Sequence, residues 1–233
     1  MGIEASTLKF LKDLGKNNNR EWFQSHKDLY EQTQQDVKGF ADEVKKILGK
    51  KDLIEEAKVF RIYRDVRFAK DKAPYKTNMG VHFTRATQQR RGGYYLHIEP
   101  GGSFAGGGFW APDPEDLKRI RDEFAFDAKP IRKITAAKAF VKYFGALQGD
   151  ELKTAPSGYD KNHPSIDLIR KKQYVVMRKF TDKEVADPNF IKEVVLTFEA
   201  MRPYFDYMSE VLSTDLNGQL LNDASATLSN RGK

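Results

Sequence analysis

The sequence contains no cysteine, and that one absence removes disulfides, thiol nucleophiles and thiolate metal sites together. No apolar run approaches the roughly 20 residues that a membrane-crossing helix needs. The opening stretch, MGIEASTLKFLKDLG, lacks the basic start, apolar core and small-residue cleavage site of a secretory signal. The resulting expectations are a cytoplasmic protein, no membrane partner, no cofactor and no resident metal. Repeats, low-complexity tracts and convincing linkers are also missing, so one domain over 1–214 with a frayed polar tail over 215–233 is the economical reading.

What is present favours a folded core. Hydrophobic residues make up 39% of the 233, and 16 of them are Phe. The net charge is +7, unevenly placed. Residues 58–76 and 161–183 each carry seven cations and two anions, leaving the rest of the chain at −3. Basicity confined to two segments points to local anion recognition more than to a uniformly cationic surface.

The hydrophobic period changes twice along the chain. Asn18 and Glu21 resemble a capping box, followed by Trp22, His26, Leu29, Thr33, Val37, Phe40, Val44 and Ile47 on one face of a long helix ending near Gly49. The segments 58–68, 79–85, 94–99 and 103–110 are short and rich in β-branched and aromatic residues, with connections short enough for antiparallel hairpins. Asp113-Pro114 opens a helix in the favoured cap-then-proline order. The stretch QYVVMRKF predicts one more strand, and Asp187-Pro188 a last helical region interrupted at Pro203. The fold class is α+β: an antiparallel meander packed with N-terminal and C-terminal helices.

Four separated motifs, NNNREWF, YRDVRFAKDKAPYKTN, YYLHIEPGGSFAGGGFW and KTAPSGYDKNHPSIDLIRKKQYVV, resemble the bacterial and fungal domain-of-unknown-function family 2461. The similarity covers about residues 5–212 in the family's order. It implies a compact α+β protein and carries no catalytic assignments.

Candidate site residues therefore come from the chemistry of the side chains. Read as a strand, the stretch from Phe60 puts Phe60, Ile62, Arg64, Val66 and Phe68 on one face, so Arg64 interrupts apolar company. A guanidinium there needs either an internal carboxylate or a bound anion. Arg67, Lys72 and Lys76 add cations around Pro74 and suit phosphate or carboxylate. The glycines of GGSFAGGGFW lack the lysine and hydroxyl of a phosphate loop, so Gly106, Gly107 and Gly108 are read as bare backbone for close approach by another segment, the leading reading, or by a ligand.

His82 and His97 are expected to face each other across a hairpin centred between Gln89 and Arg90, with Glu99 on the same face as His97. Two imidazoles and a carboxylate form either an open zinc site or an acid–base group. In the loop 157–164, Tyr159 and His163 offer further polar contacts. The leading expectation is a pocket on one sheet face for a small phosphate- or carboxylate-bearing ligand. Arg64, Arg67, Lys72, Lys76 and Tyr159 hold the ligand, and His97, Glu99 and His163 supply proton transfer if there is catalysis. Two alternatives stand beside it: a nucleic-acid-binding module using both basic segments, and an interaction or scaffold protein.

Overall fold

The alternating residues of the middle third become four strands, and a fifth joins them from much later in the chain. A computed structural model describes residues 1–87, 89–214 and 219–221. Strands β1 (Ile54–Val59), β2 (Met79–Arg85), β3 (Gly93–Ile98), β4 (Phe104–Phe109) and β5 (Tyr174–Lys179) form one antiparallel sheet in that spatial order. Before the sheet come helices α1 (Ala5–Lys16), α2 (Arg20–Ser25) and α3 (Lys27–Leu48). Between β4 and β5 lie α4 (Pro114–Phe126), α5 (Lys129–Thr135), α6 (Lys138–Phe144) and the short α7 (Ile166–Ile169). Helices α8 (Asp182–Ala186) and α9 (Phe190–Ser213) follow. The chain is a single α+β domain, and the polar tail expected from residue 215 lies, apart from 219–221, outside the described residues.

Strand alternation decides which face is core. Val81, Phe83, Tyr94, Leu96 and Ala105 point one way and are fully buried under α3 and α9. The Phe198 ring of α9 meets Phe83 at 5.4 Å and Tyr94 at 4.9 Å between centroids. Gly107 belongs to the same face, where a Cβ would lie 2.7 Å from the Phe205 ring and 2.5 Å from the Gly93 carbonyl oxygen. Close approach of α9 therefore requires the glycine, as the packing reading of that stretch expects.

Several boundaries differ from the sequence reading. The first strand is Ile54–Val59 instead of 58–68, because its pairing with β2 runs from Ile54 with Arg85 to Val59 with Val81. The long N-terminal helix is two helices. His26 breaks it: its Nδ1 donates to the Trp22 carbonyl at 2.8 Å, the acceptor a continuing helix would use for the residue-26 amide. Asn19, not Asn18, caps α2, accepting from the Trp22 amide at 2.9 Å. Leu29 is exposed, whereas Val37 and Phe40 are buried as expected. Asp113 does cap α4, with Pro114 in its first turn. Helix α9 runs through Pro203 without a break, held on both sides by buried Phe198, Met201, Tyr204 and Phe205.

One polar cluster lies inside this core. Asp52, 0% exposed, accepts from Arg85 Nε at 2.7 Å and from the Tyr94 hydroxyl at 2.6 Å on one oxygen. Its other oxygen accepts from Arg90 at 2.6 Å. Arg85, 1% exposed, also reaches Asp206 and Ser209 of α9 and the Arg91 carbonyl. Burial alone would raise the Asp52 carboxyl, but hydrogen bonds from Tyr94 and Arg85 and the charges of Arg85 and Arg90 hold it below the ordinary carboxylate value.

Asp52→Asn removes the buried carboxylate charge facing Arg85, leaves only the half-exposed Asp206 to offset it, and should destabilise by about 3 kcal/mol in denaturant unfolding. Tyr94→Phe, which removes a single donor, should cost about 1 kcal/mol. Because the folded-state pKa of Asp52 is depressed, its contribution is complete above the unfolded value and is lost as pH falls through the folded one. The wild-type advantage over Asp52→Asn should therefore hold at neutral pH and shrink below about pH 4.

Candidate functional site

The segment between β1 and β2 is folded back on itself and tied down at its base. Arg64 N donates to Pro74 O at 2.9 Å and Lys76 N to Ile62 O at 2.8 Å, and Tyr63 bridges Tyr75. The base packs on α2 and α3: Tyr75 stacks on Phe23 at 4.0 Å, and Tyr63 meets Phe23 edge-on at 5.7 Å. Asn18 completes the attachment. Its amide donates to Tyr75 O at 2.9 Å and accepts from Tyr75 N at 3.1 Å, as a neighbouring strand would.

This geometry corrects the strand alternation expected beyond Phe60. Ile62 is buried, Phe68 is 96% exposed, and Arg64 is partly exposed at the mouth of a cleft. Its Nη1 pairs with Asp71 Oδ2 at 2.6 Å and donates to Ala73 O at 3.1 Å. Arg67 pairs with Asp65 at 2.6 Å, and Lys72 donates to the carbonyls of Val66 and Arg67. Arg64, Arg67 and Lys72 are therefore engaged within the loop itself.

Two of the expected ligand residues do come together. Arg64 and Lys76 line a cleft of about 370 Å³ with Asn18, Asp71, Tyr75, Thr77 and Asn78. The Lys76 ammonium lies 5.7 Å above the Phe60 ring, and that ring lies 6.4 Å from Tyr95. Arg67 and Lys72 are not among the lining residues. The cleft sits where the loop meets the α1–α2 turn, just before the start of β2, and none of its lining residues lies in a strand.

Thr77 links the cleft to the sheet. Its hydroxyl donates to Glu99 Oε1 at 2.9 Å, and Glu99 Oε2 lies 3.1 Å from His97 Nε2. His97 Nδ1 lies 3.4 Å from the Tyr95 hydroxyl, and the imidazole stacks on Phe104 at 4.8 Å. His82 does not face His97: its partner is Tyr95, and His97 pairs with Gly80, a register two residues away from the expected one. Burial lowers the His82 pKa, with Glu56 opposing the shift and Lys58 adding to it. Among the described residues no group of three His, Asp or Glu side chains is arranged to hold a metal ion.

Tyr159 and His163 lie elsewhere. The Tyr159 hydroxyl donates to Asp122 of α4 at 2.6 Å, and burial together with Asp122 pushes its pKa up to about 12. His163 Nδ1 accepts from the Ser165 amide at 3.1 Å, fixing the turn into α7. In the second basic segment Arg170 pairs with Glu151, and Arg178 pairs with Glu193 while covering the Phe180 ring. No hydrogen bond or ion pair among the described residues joins the two basic segments.

Asn18→Ala removes both side-chain bonds to Tyr75 and should cost about 1–3 kcal/mol. Amide exchange at Tyr75 and Lys76 should accelerate more than at β3, and equal acceleration everywhere would contradict a local clamp.

Among the described residues no helix is long and apolar enough to cross a membrane. No curated protein and no solved structure matches the chain. A family model described as a conserved hypothetical protein, DUF2461, matches residues 6–207, and the chain belongs to that family.

Proposed function

We propose that the protein binds a small phosphate- or carboxylate-bearing ligand in the cleft bounded by Arg64 and Lys76. The observation that carries this reading is the lining itself. It has one guanidinium, one ammonium, two hydroxyls and two amide side chains, against a single carboxylate. That carboxylate, Asp71, is 67% exposed. An ion pair so open to water is worth about 0–1 kcal/mol, so an incoming anion replaces Asp71 at little cost. Through its hydroxyl, Thr77 joins this lining to Glu99 and, beyond it, to His97.

A nucleic-acid role has less support, since it needs free cations from both basic segments, and Arg170 and Arg178 are engaged with Glu151 and Glu193.

Phosphate and small carboxylates, added at constant ionic strength, should raise the melting temperature of the wild type. Arg64→Met and Lys76→Ala should abolish the shift while changing stability by no more than about 1 kcal/mol. Arg67→Ala and Lys72→Ala, outside the cleft, should retain it. If Arg64 serves only its pair with Asp71, the wild type will show no anion-dependent shift at all, and the reading fails.

A further inference from the structure

Tyr95, His97 and Glu99 occupy alternate positions at and just beyond β3, so they project from one face while Tyr94, Leu96 and Ile98 enter the core. Their hydrogen bonds run in one direction. Glu99 uses Oε1 for Thr77 and Oε2 for His97 Nε2. An ionised carboxylate only accepts, so Nε2 carries the hydrogen, and in the neutral ring Nδ1 is the bare nitrogen. That nitrogen faces the Tyr95 hydroxyl at 3.4 Å. A hydroxyl, an imidazole that takes its proton and a carboxylate that orients the imidazole make an activated-hydroxyl arrangement.

Two glycines keep the ends of this array in place. A Cβ at Gly80 would lie 2.4 Å from the Tyr95 hydroxyl oxygen, and one at Gly102 would lie 2.9 Å from Glu99 Oε2. Phe104, stacked on His97 within 16° of parallel, fixes the plane of the ring.

We propose that Tyr95, His97 and Glu99 form a proton relay for the ligand of the Arg64–Lys76 cleft, a small anion bearing an ionisable C–H or O–H. The proposal rests on the reading of the cleft as an anion site. Thr77 lines the cleft and donates to Glu99 of the array, and the Phe60 ring neighbours both the Lys76 ammonium, at 5.7 Å, and the Tyr95 ring, at 6.4 Å. In the relay step the ligand's proton passes to the Tyr95 oxygen as the Tyr95 proton passes to His97 Nδ1. The ligand keeps the electron pair of the broken bond, the imidazolium faces Glu99, and the reverse step restores the starting state. Burial, with the Glu99 charge adding to it, raises the Tyr95 pKa, so the hydroxyl holds its proton until transfer.

Reactivity toward an aryl sulfonyl fluoride tests this without knowledge of the ligand. A new O–S bond forms at the phenol, fluoride leaves, and the phenol proton goes to His97. Peptide mapping should show Tyr95 modified roughly a hundredfold faster than a tyrosine without a general base. Tyr63, which is 46% exposed, is the internal comparison. Glu99→Gln keeps the shape, but its amide donates to Nε2 and places the ring hydrogen on Nδ1. Fast modification should vanish, and the ¹⁵N shifts of His97 should report the inverted tautomer. Gly80→Ala, which displaces the hydroxyl, should abolish fast modification with the tautomer unchanged.

Saturating phosphate should protect Tyr95. A Tyr95 rate no higher than that of Tyr63, or a rate unaffected by Glu99→Gln, overturns the relay. Phosphate that raises the melting temperature yet leaves Tyr95 unprotected overturns its link to the cleft. Absence of any phosphate-dependent thermal shift is the separate failure of the cleft reading.

Discussion

The buried Arg85–Asp52 pair is the constraint on which the rest of the architecture depends. A guanidinium and a carboxylate removed from water cost several kcal/mol each unless geometry and hydrogen bonding offset the loss. Here both are extensively hydrogen-bonded. Asp52 receives three donors, and Arg85 reaches Asp52, Arg91, Asp206 and Ser209. Those partners come from the turn after α3, the β2–β3 hairpin and α9, segments far apart in sequence. Any shift of α9 over the sheet breaks at least one bond to a buried charge. The aromatic packing of Phe198 and Phe205 on Tyr94 is thereby held to one register.

A rigid sheet of this kind gives the connection between β1 and β2 a firm base. Ile62, Tyr63 and Tyr75 anchor it through apolar and aromatic contact, and Asn18 closes the last backbone groups of Tyr75. The charges are partitioned by that anchoring. At the tip, Arg67 and Lys72 satisfy local carboxylates and carbonyls; at the base, Arg64 and Lys76 border the cleft. The long side chain of Lys76 is steadied over Phe60, which limits its freedom before any ligand arrives.

Much of this fold was legible in the sequence, because hairpins with short connections leave few arrangements. The positions of β2, β3, β4 and β5, the cap at Asp113 and the face carrying His97 and Glu99 all follow from alternation and capping chemistry. A cation on an apolar strand face must be compensated, and the residue in that position is Arg85. Arg85 continues the buried row Met79, Val81 and Phe83, and the same alternation would have singled it out. Its partner Asp52 was hidden in a stretch that reads as a turn.

Other features depend on tertiary contact and leave no local mark. Asn18 and Asn19 are adjacent and chemically identical. Only the approach of Tyr75 decides that one caps a helix while the other mimics a strand. The β2–β3 register differed from the symmetric estimate by two residues, which preserved the face of each histidine but changed its neighbour. Arg64 lies outside any strand, and the folded loop supplies Asp71 as its partner.

The most direct test of the central claim, that Arg64 and Lys76 form an anion site, is an anomalous-scattering map from crystals soaked in tungstate. The account predicts a principal peak inside the cleft, bonded to both side chains, with Asp71 displaced from Arg64. A map with tungstate only at other surface cations, and the Arg64–Asp71 pair still closed, would contradict it.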